Sequence, residues 1–158
     1  MDADVKVAGL AELDAQLAAL PEAVGVRVMN QTLLFAAKPV RDVAQSNARL
    51  IGRSGAMAQT IQARSVKRTG DPTIFEAVVG FRKKNANAAA LANLYYGRKK
   101  KVKGAYWGGF NEKGTAKMGA RPMLVPAWMQ ERGRMPQIIA EQLRVSIARA
   151  VKKLSRKK

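Results

Sequence analysis

Leu10, Leu13, Leu17 and Leu20 repeat every three or four residues, the period of an α-helix, and Pro21 closes the run. A short amphipathic helix is therefore expected there, after an extended start at residues 5–7. From residue 22 to about residue 51, Val24, Val28, Leu34, Phe35, Val43 and Leu50 keep an approximate helical period. The spacing predicts one helix of roughly 45 Å at about 1.5 Å per residue. Pro39 lies inside it, lacks an N–H and crowds the carbonyl four residues earlier, so a kink or short break is expected at residues 35–38. Gly52 and Gly55 end the segment.

The period then changes. Phe75, Ala77, Val79 and Phe81 fall on one face of a strand at residues 74–81, with Ile74, Glu76 and Val78 on the other. The first face is expected to be core. A weaker strand at residues 61–67 precedes it across Thr69-Gly70-Asp71-Pro72, which predicts a hairpin. Residues 82–93 are basic and then rich in Asn and Ala, and read as a loop. Tyr95, Tyr96, Tyr106, Trp107 and Phe110 flank residues 98–103 as apolar ends anchoring a basic loop. Pro136 opens a last helix whose apolar stripe is Ile138, Ile139, Leu143, Ile147, Val151 and Leu154, long enough to bury a face against the long helix. The fold class expected is α+β: a long kinked N-terminal helix and a C-terminal amphipathic helix packed on a small antiparallel sheet with a β-hairpin.

With 158 residues and 47% hydrophobic content, the chain has the length of one domain with a real core. The expected organisation is a single domain over residues 1–158, with a basic loop at 82–103 and a basic tail at 152–158. The formal net charge of +18 makes the surface repel itself unless an acidic partner or nucleic acid neutralises it. That charge is uneven: residues 1–42 hold six acids and four bases, and residues 43–158 hold five acids and twenty-five bases. Two acid-free tracts stand out, residues 82–103 and 144–158. Such blocks are usually solvated or serve as interaction arms. Arg98, Lys99, Lys100, Lys101, Lys103, Lys152 and Lys153 are candidate contacts for DNA or an acidic partner. The first residues lack the basic start and apolar core of a signal peptide, and no window has the roughly 18 apolar residues of a membrane span. A product made in the cytoplasm, with no membrane partner, is expected.

The inventory of reactive groups excludes most enzyme classes. There is no histidine and no cysteine, so a Ser-His-Asp triad, a His-activated nucleophile and thiolate metal sites are impossible. The nearest carboxylate pairs, Asp2/Asp4, Glu12/Asp14 and Asp71/Glu76, sit on a terminus, a short helix and a turn, where solvated charge is the better account. Residues 109–115 superficially resemble a phosphate-binding loop but lack the Lys before Ser/Thr that would reach phosphates. No enzymatic activity and no cofactor are expected. Basic residues interleaved with Tyr95, Tyr96, Tyr106 and Trp107 leave a sequence-nonspecific DNA- or RNA-binding protein as an alternative reading.

The most specific stretch is GFNEKGTAKMGARPMLVPAW at residues 109–128. Gly114 and Gly119 permit backbone angles that a side chain forbids, whereas Pro122 and Pro126 oppose a continuous helix or central strand. A shaped connector is expected. Glu112, Gly114, Thr115, Ala120, Arg121, Pro122, Leu124, Pro126 and Ala127 together resemble the "EfGT…aRPfl.PA" pattern of the tail-completion, or head-tail joining, proteins of long-tailed lambdoid bacteriophages, the minor tail protein Z-like family. Lys113 departs from that pattern, which often has an aromatic residue there.

The resemblance implies a structural virion protein of the phage neck, made in the host cytoplasm, that completes the tail and joins it to the head connector. It further implies a ring of copies, hexameric by the sixfold symmetry of such tails. The ring would sit between tail terminator or tail tube protein and head connector proteins, with phage DNA in the channel. Ring closure needs two different patches per subunit. Glu112, Gly114, Thr115, Arg121, Pro122 and Trp128, with the hairpin, are the candidate subunit or partner contacts, Arg121 being suited to a bidentate link to a carboxylate or carbonyl; the other reading of Arg121, Pro122 and Pro126 is that they only shape the chain's own connector.

Overall fold

The structure is a computed structural model and describes residues 9–52, 55–66, 74–82 and 104–156. Among the described residues the order of elements is α1 (Leu10–Ala18), α2 (Glu22–Ile51), α3 (Ala56–Thr60), β1 (Ile61–Val66), β2 (Glu76–Phe81), α4 (Gly104–Lys113), α5 (Leu124–Glu131) and α6 (Met135–Ser155). A 3₁₀ turn, Arg132–Arg134, links α5 to α6. β1 and β2 pair as a two-stranded antiparallel sheet, and the fold is α+β. Residues 5–7, 69–72, 83–103, 157 and 158 lie outside the described residues, and with them the expected extended start, hairpin turn and basic loop. The chain divides into two compact units, one of Met1–Ala36, Ser65–Ala77 and Gly133–Lys158, the other of Ala37–Arg64 and Val78–Arg132.

In the first unit, Leu13 of α1, Val28 of α2, and Ala140, Leu143 and Ile147 of α6 form a buried cluster, with Leu17, Leu20 and Val24 packed against it. A nine-residue helix such as α1 is marginal in water by itself. Each buried Leu, Ile or Val side chain contributes roughly 1.5–3 kcal/mol, so the burial of Leu13, with Leu17 packed beside it, holds α1 in place. The expected contact of the last helix with the long one is present. Its stripe is narrower than expected: Val151 is 51% exposed, while Ala140 and Ala150 take part. Positions 140, 143, 147, 150 and 154 follow the 3.6-residue period, and residue 151 falls about 100° beyond residue 150.

α2 has the bounds the sequence predicts but differs inside them. It runs as one helix through Pro39, so of the kink or short break expected at residues 35–38 the break does not occur. Ala36, Ala37, Val40, Ala44 and Ala48 are buried along one stripe of the helix. Their packing outweighs the roughly 3 kcal/mol that an interior proline costs. Phe35 and Leu50, expected on the apolar face, are 43% and 88% exposed. The burying face of this half of α2 is an alanine face.

The second unit is tied together by polar contacts to backbone. Gln45 of α2 donates through Nε2 to the Ile61 carbonyl at 2.9 Å. Ile61, the first residue of β1, is fully buried. Past the end of β2, the Arg82 N–H donates to the Thr60 carbonyl at 2.7 Å, and its Nη1 to Gln62 Oε1 at 3.1 Å. The face expected to be core, Phe75, Ala77, Val79 and Phe81, is half-buried, and Ile74 and Val78 on the opposite face are exposed. The ring of Phe81 lies against Gly108 of α4 so closely that a β-carbon there would be 2.3 Å from its Cδ1. Gly108 is therefore the residue that lets α4 approach the sheet.

Candidate functional site

Residues 109–128 fold as helix, turn and helix, so no continuous helix crosses the segment, as expected, but most of it on either side of the turn is helical. α4 continues to Lys113 and α5 begins at Leu124, leaving residues 114–123 as the link. Pro126 does not break α5, because it is the third residue of the helix, where a backbone N–H has no partner within the helix.

Gly114 ends α4 with φ 75°, donating its N–H to the Phe110 carbonyl at 2.8 Å. This is the left-handed residue with which many helices terminate. A β-carbon at Gly114 would lie 2.8 Å from the Ala120 nitrogen and 3.0 Å from the Met118 oxygen, so the position excludes a side chain on two counts. Thr115 and Met118 then pair across a tight turn, with N–H···O distances of 2.8 and 3.2 Å, and Thr115 Oγ1 accepts the Lys117 N–H at 3.3 Å. The returning strand is held by the Arg121 N–H, which donates to the Asn111 carbonyl at 2.6 Å.

Glu112 closes the bracket. Its Oε2 accepts the N–H of Met123 at 2.8 Å and of Leu124 at 3.0 Å, and its Oε1 accepts the N–H of Val125 at 3.0 Å. These are orphan donors at the start of α5, and a carboxylate there also meets the positive end of the helix dipole. Met123, the residue in the N-cap position, makes no side-chain cap of its own. Instead it is fully buried, and its carbonyl accepts Asn47 Nδ2 of α2 at 3.2 Å. Ala127 is fully buried as well.

Everything the bracket does not bury, it presents outward. Val125, Trp128 and Met129 are 55%, 48% and 55% exposed. Their i, i+3, i+4 spacing puts them on one face of α5. Arg121 and Pro122 are exposed at the entrance to that helix, and the Arg121 guanidinium makes no hydrogen bond or ion pair among the described residues. Of the residues singled out in the sequence, the structure thus brings Glu112, Gly114, Thr115, Arg121 and Pro122 into one turn, with Trp128 on the helix that follows. Val125 and Met129 join Trp128 and were readable only once residues 124–131 were known to be helical. Lys152 and Lys153 are exposed in the last turns of α6. Arg98, Lys99, Lys100, Lys101 and Lys103 lie outside the described residues, as do Tyr95 and Tyr96 and the side chains of Tyr106 and Trp107. Among the described residues no group of three or more acidic residues could hold a metal ion, and no helix is long and apolar enough to cross a membrane.

Residues 11–107, from α1 into α4, match the family model HK97-gp10_like, described as "Bacteriophage HK97-gp10, putative tail-component". The chain belongs to the HK97-gp10-like family. It is a structural component of the bacteriophage tail, its place is in the virion, and its partners are other virion proteins. The matched span ends before Gly109, so the family assignment and the turn built by Glu112 and Gly114 are independent observations on different parts of the chain. No curated protein and no solved structure matches it.

Proposed function

We propose that this tail component acts at the neck, completing the head-proximal end of the tail and joining it to the head connector as one subunit of a homo-oligomeric ring, by the sixfold symmetry of such tails a hexamer. The observation that carries the reading is the capped turn at residues 112–125. Glu112 fixes the start of α5, and α5 offers Val125, Trp128 and Met129 to solvent as an apolar face on a rigid mount. An exposed cluster of this kind, with an aromatic at its centre, is typical of a protein contact rather than of a solvated surface. In a ring the contact is heterologous, so this face meets a different patch of the next copy. Arg121, beside it and exposed, is placed to reach a carboxylate of the neighbour. The ring's partners on either side are a tail terminator or tail tube protein and the head connector, with phage DNA in the channel.

The test is a phage deleted for this gene. Tails should assemble but fail to join filled heads, and adding the purified protein to separated heads and tails should restore infectivity. Normal particles from the deletion strain would overturn the proposal.

A further inference from the structure

A groove of about 370 Å³ opens between α2 and α6 in the first unit. Its floor is apolar, made of Val24 and Val28 from α2 and Ala150 and Leu154 from α6. Its rim is cationic, with Arg27 on one side and Arg149 and Lys153 on the other, all exposed. None of the three forms an ion pair among the described residues, and no acidic residue lines the groove. Gln31 and Gln142 complete the wall, Gln142 Nε2 donating to Ser146 Oγ at 3.3 Å.

We infer that this groove receives an acidic amphipathic helix of a partner protein in the virion. Two features of the groove require different halves of such a ligand. The floor matches an apolar helix face, the arrangement by which amphipathic helices commonly dock between two helices. The rim matches carboxylates flanking that face. Arg149 and Lys153 are four residues apart on α6, one turn along the same side, so they meet acids spaced by one turn on the incoming helix. A second copy of this chain is a poor occupant of this cationic rim, because α1, where Glu12 and Asp14 stand beside leucines, already packs Leu13 and Leu17 into the chain's own core. Nucleic acid would satisfy the rim but leave the floor without a partner, since a phosphate backbone has no apolar face to lay in it. The inference does not depend on whether the tail component sits at the neck, since it concerns a groove formed by α2 and α6 and not the face of α5.

The experiment uses the full chain and a labelled helical peptide with leucines along one face and glutamates flanking them, followed by fluorescence anisotropy. Two altered peptides separate the terms: one with each Glu changed to Gln, one with each Leu changed to Ser. Labelled duplex DNA of arbitrary sequence is the competing probe. The parent peptide should bind, and either altered peptide should bind at least about tenfold more weakly. The double variant Arg149→Gln, Lys153→Gln should lose the parent peptide by a similar factor, with an unchanged circular dichroism melt. Failure of the parent peptide to bind more tightly than both altered peptides overturns the inference without bearing on tail joining. Duplex DNA that binds more tightly than the peptide, and is lost in the double variant, overturns it in favour of a phosphate site.

Discussion

The Glu112 carboxylate holds the N–H of Leu124 with both of its oxygens, at 3.2 and 3.0 Å. The two residues are far apart for a helix cap, which ordinarily comes from the residue just before the helix. Here the cap is delivered across a turn, so one side chain fixes both where α5 starts and how it sits on α4. Glu112→Gln keeps the shape but turns an ionised acceptor into an amide with one acceptor oxygen and a donor facing backbone N–H groups. It should lower unfolding stability by about 1–2 kcal/mol, and Glu112→Ala by somewhat more. Urea denaturation reads this as a lower midpoint at constant slope. An unchanged midpoint in both variants would mean that water or a neighbouring group replaces the carboxylate at no cost.

Gly114 tests the other half of the same turn. At φ 75°, a β-branched side chain is strained, and here its β-carbon would also meet the Ala120 nitrogen at 2.8 Å. Gly114→Val should therefore cost at least about 1–3 kcal/mol from the backbone alone, and more from the clash. Gly114→Asn, which tolerates the left-handed region better, should show a smaller loss because only the clash remains in full. Thermal melts of the two variants beside the parent chain give the comparison. Equal losses would assign the whole effect to crowding and none to φ.

The bounds of α2 were legible because three local signals agree: Pro21 before it, a helical period through it and Gly52 after it. Its burying face was not. Alanine contributes little to an apolar pattern, so Ala36, Ala44 and Ala48 are outweighed in the sequence by Phe35 and Leu50, and only tertiary packing decides which set faces inward. The turn at residues 109–128 shows a similar division. Of the two glycines singled out there, Gly114 has the positive φ that only its residue type takes easily, whereas Gly119 has neither a positive φ nor an atom within 4 Å of where a β-carbon would stand, so the expectation fails there. That Glu112 caps α5 depends on the chain returning by residue 123, which no local capping pattern encodes. Pro122 and Pro126 were read as helix breakers because the start of a helix at Leu124, where Pro126 is harmless, depends on that same cap. Gly108 escaped notice for a related reason: its role is set by Phe81 arriving from β2, far away in the chain.

The alanine face of α2 makes its own prediction. Ala44 and Ala48 are fully buried, so Ala48→Leu adds volume where none is free. Overpacking of this kind costs about 1–3 kcal/mol, whereas Leu50→Ala, at a residue 88% exposed, should change stability by less than about 0.5 kcal/mol. The two substitutions exchange the same pair of residues in opposite senses, so helix propensity adds only about a few tenths of a kcal/mol to the contrast, well below the cost of overpacking. A larger loss from Leu50→Ala than from Ala48→Leu would show that the apolar pattern in the sequence, and not the alanine stripe, marks the packed side of α2.

The face of α5 separates assembly from folding. Val125, Trp128 and Met129 are about half exposed, so replacing Trp128 with glutamate removes contact area from a surface and not from the core. Stability should fall by no more than about 1 kcal/mol, while an interface centred on an aromatic residue loses about 2 kcal/mol or more when that residue is removed. Trp128→Glu should therefore melt close to the parent chain but fail to self-associate in analytical ultracentrifugation, and should not restore head joining to a deleted phage. Val125→Ser, at the same face, should show a weaker form of the same defect. Arg121→Lys keeps the charge but loses the fork that engages a carboxylate through two parallel bonds, so it should weaken association without altering the melt. Trp128→Glu particles that join heads at the parent rate would remove α5 from the ring contact and leave the capped turn as a device of the fold alone.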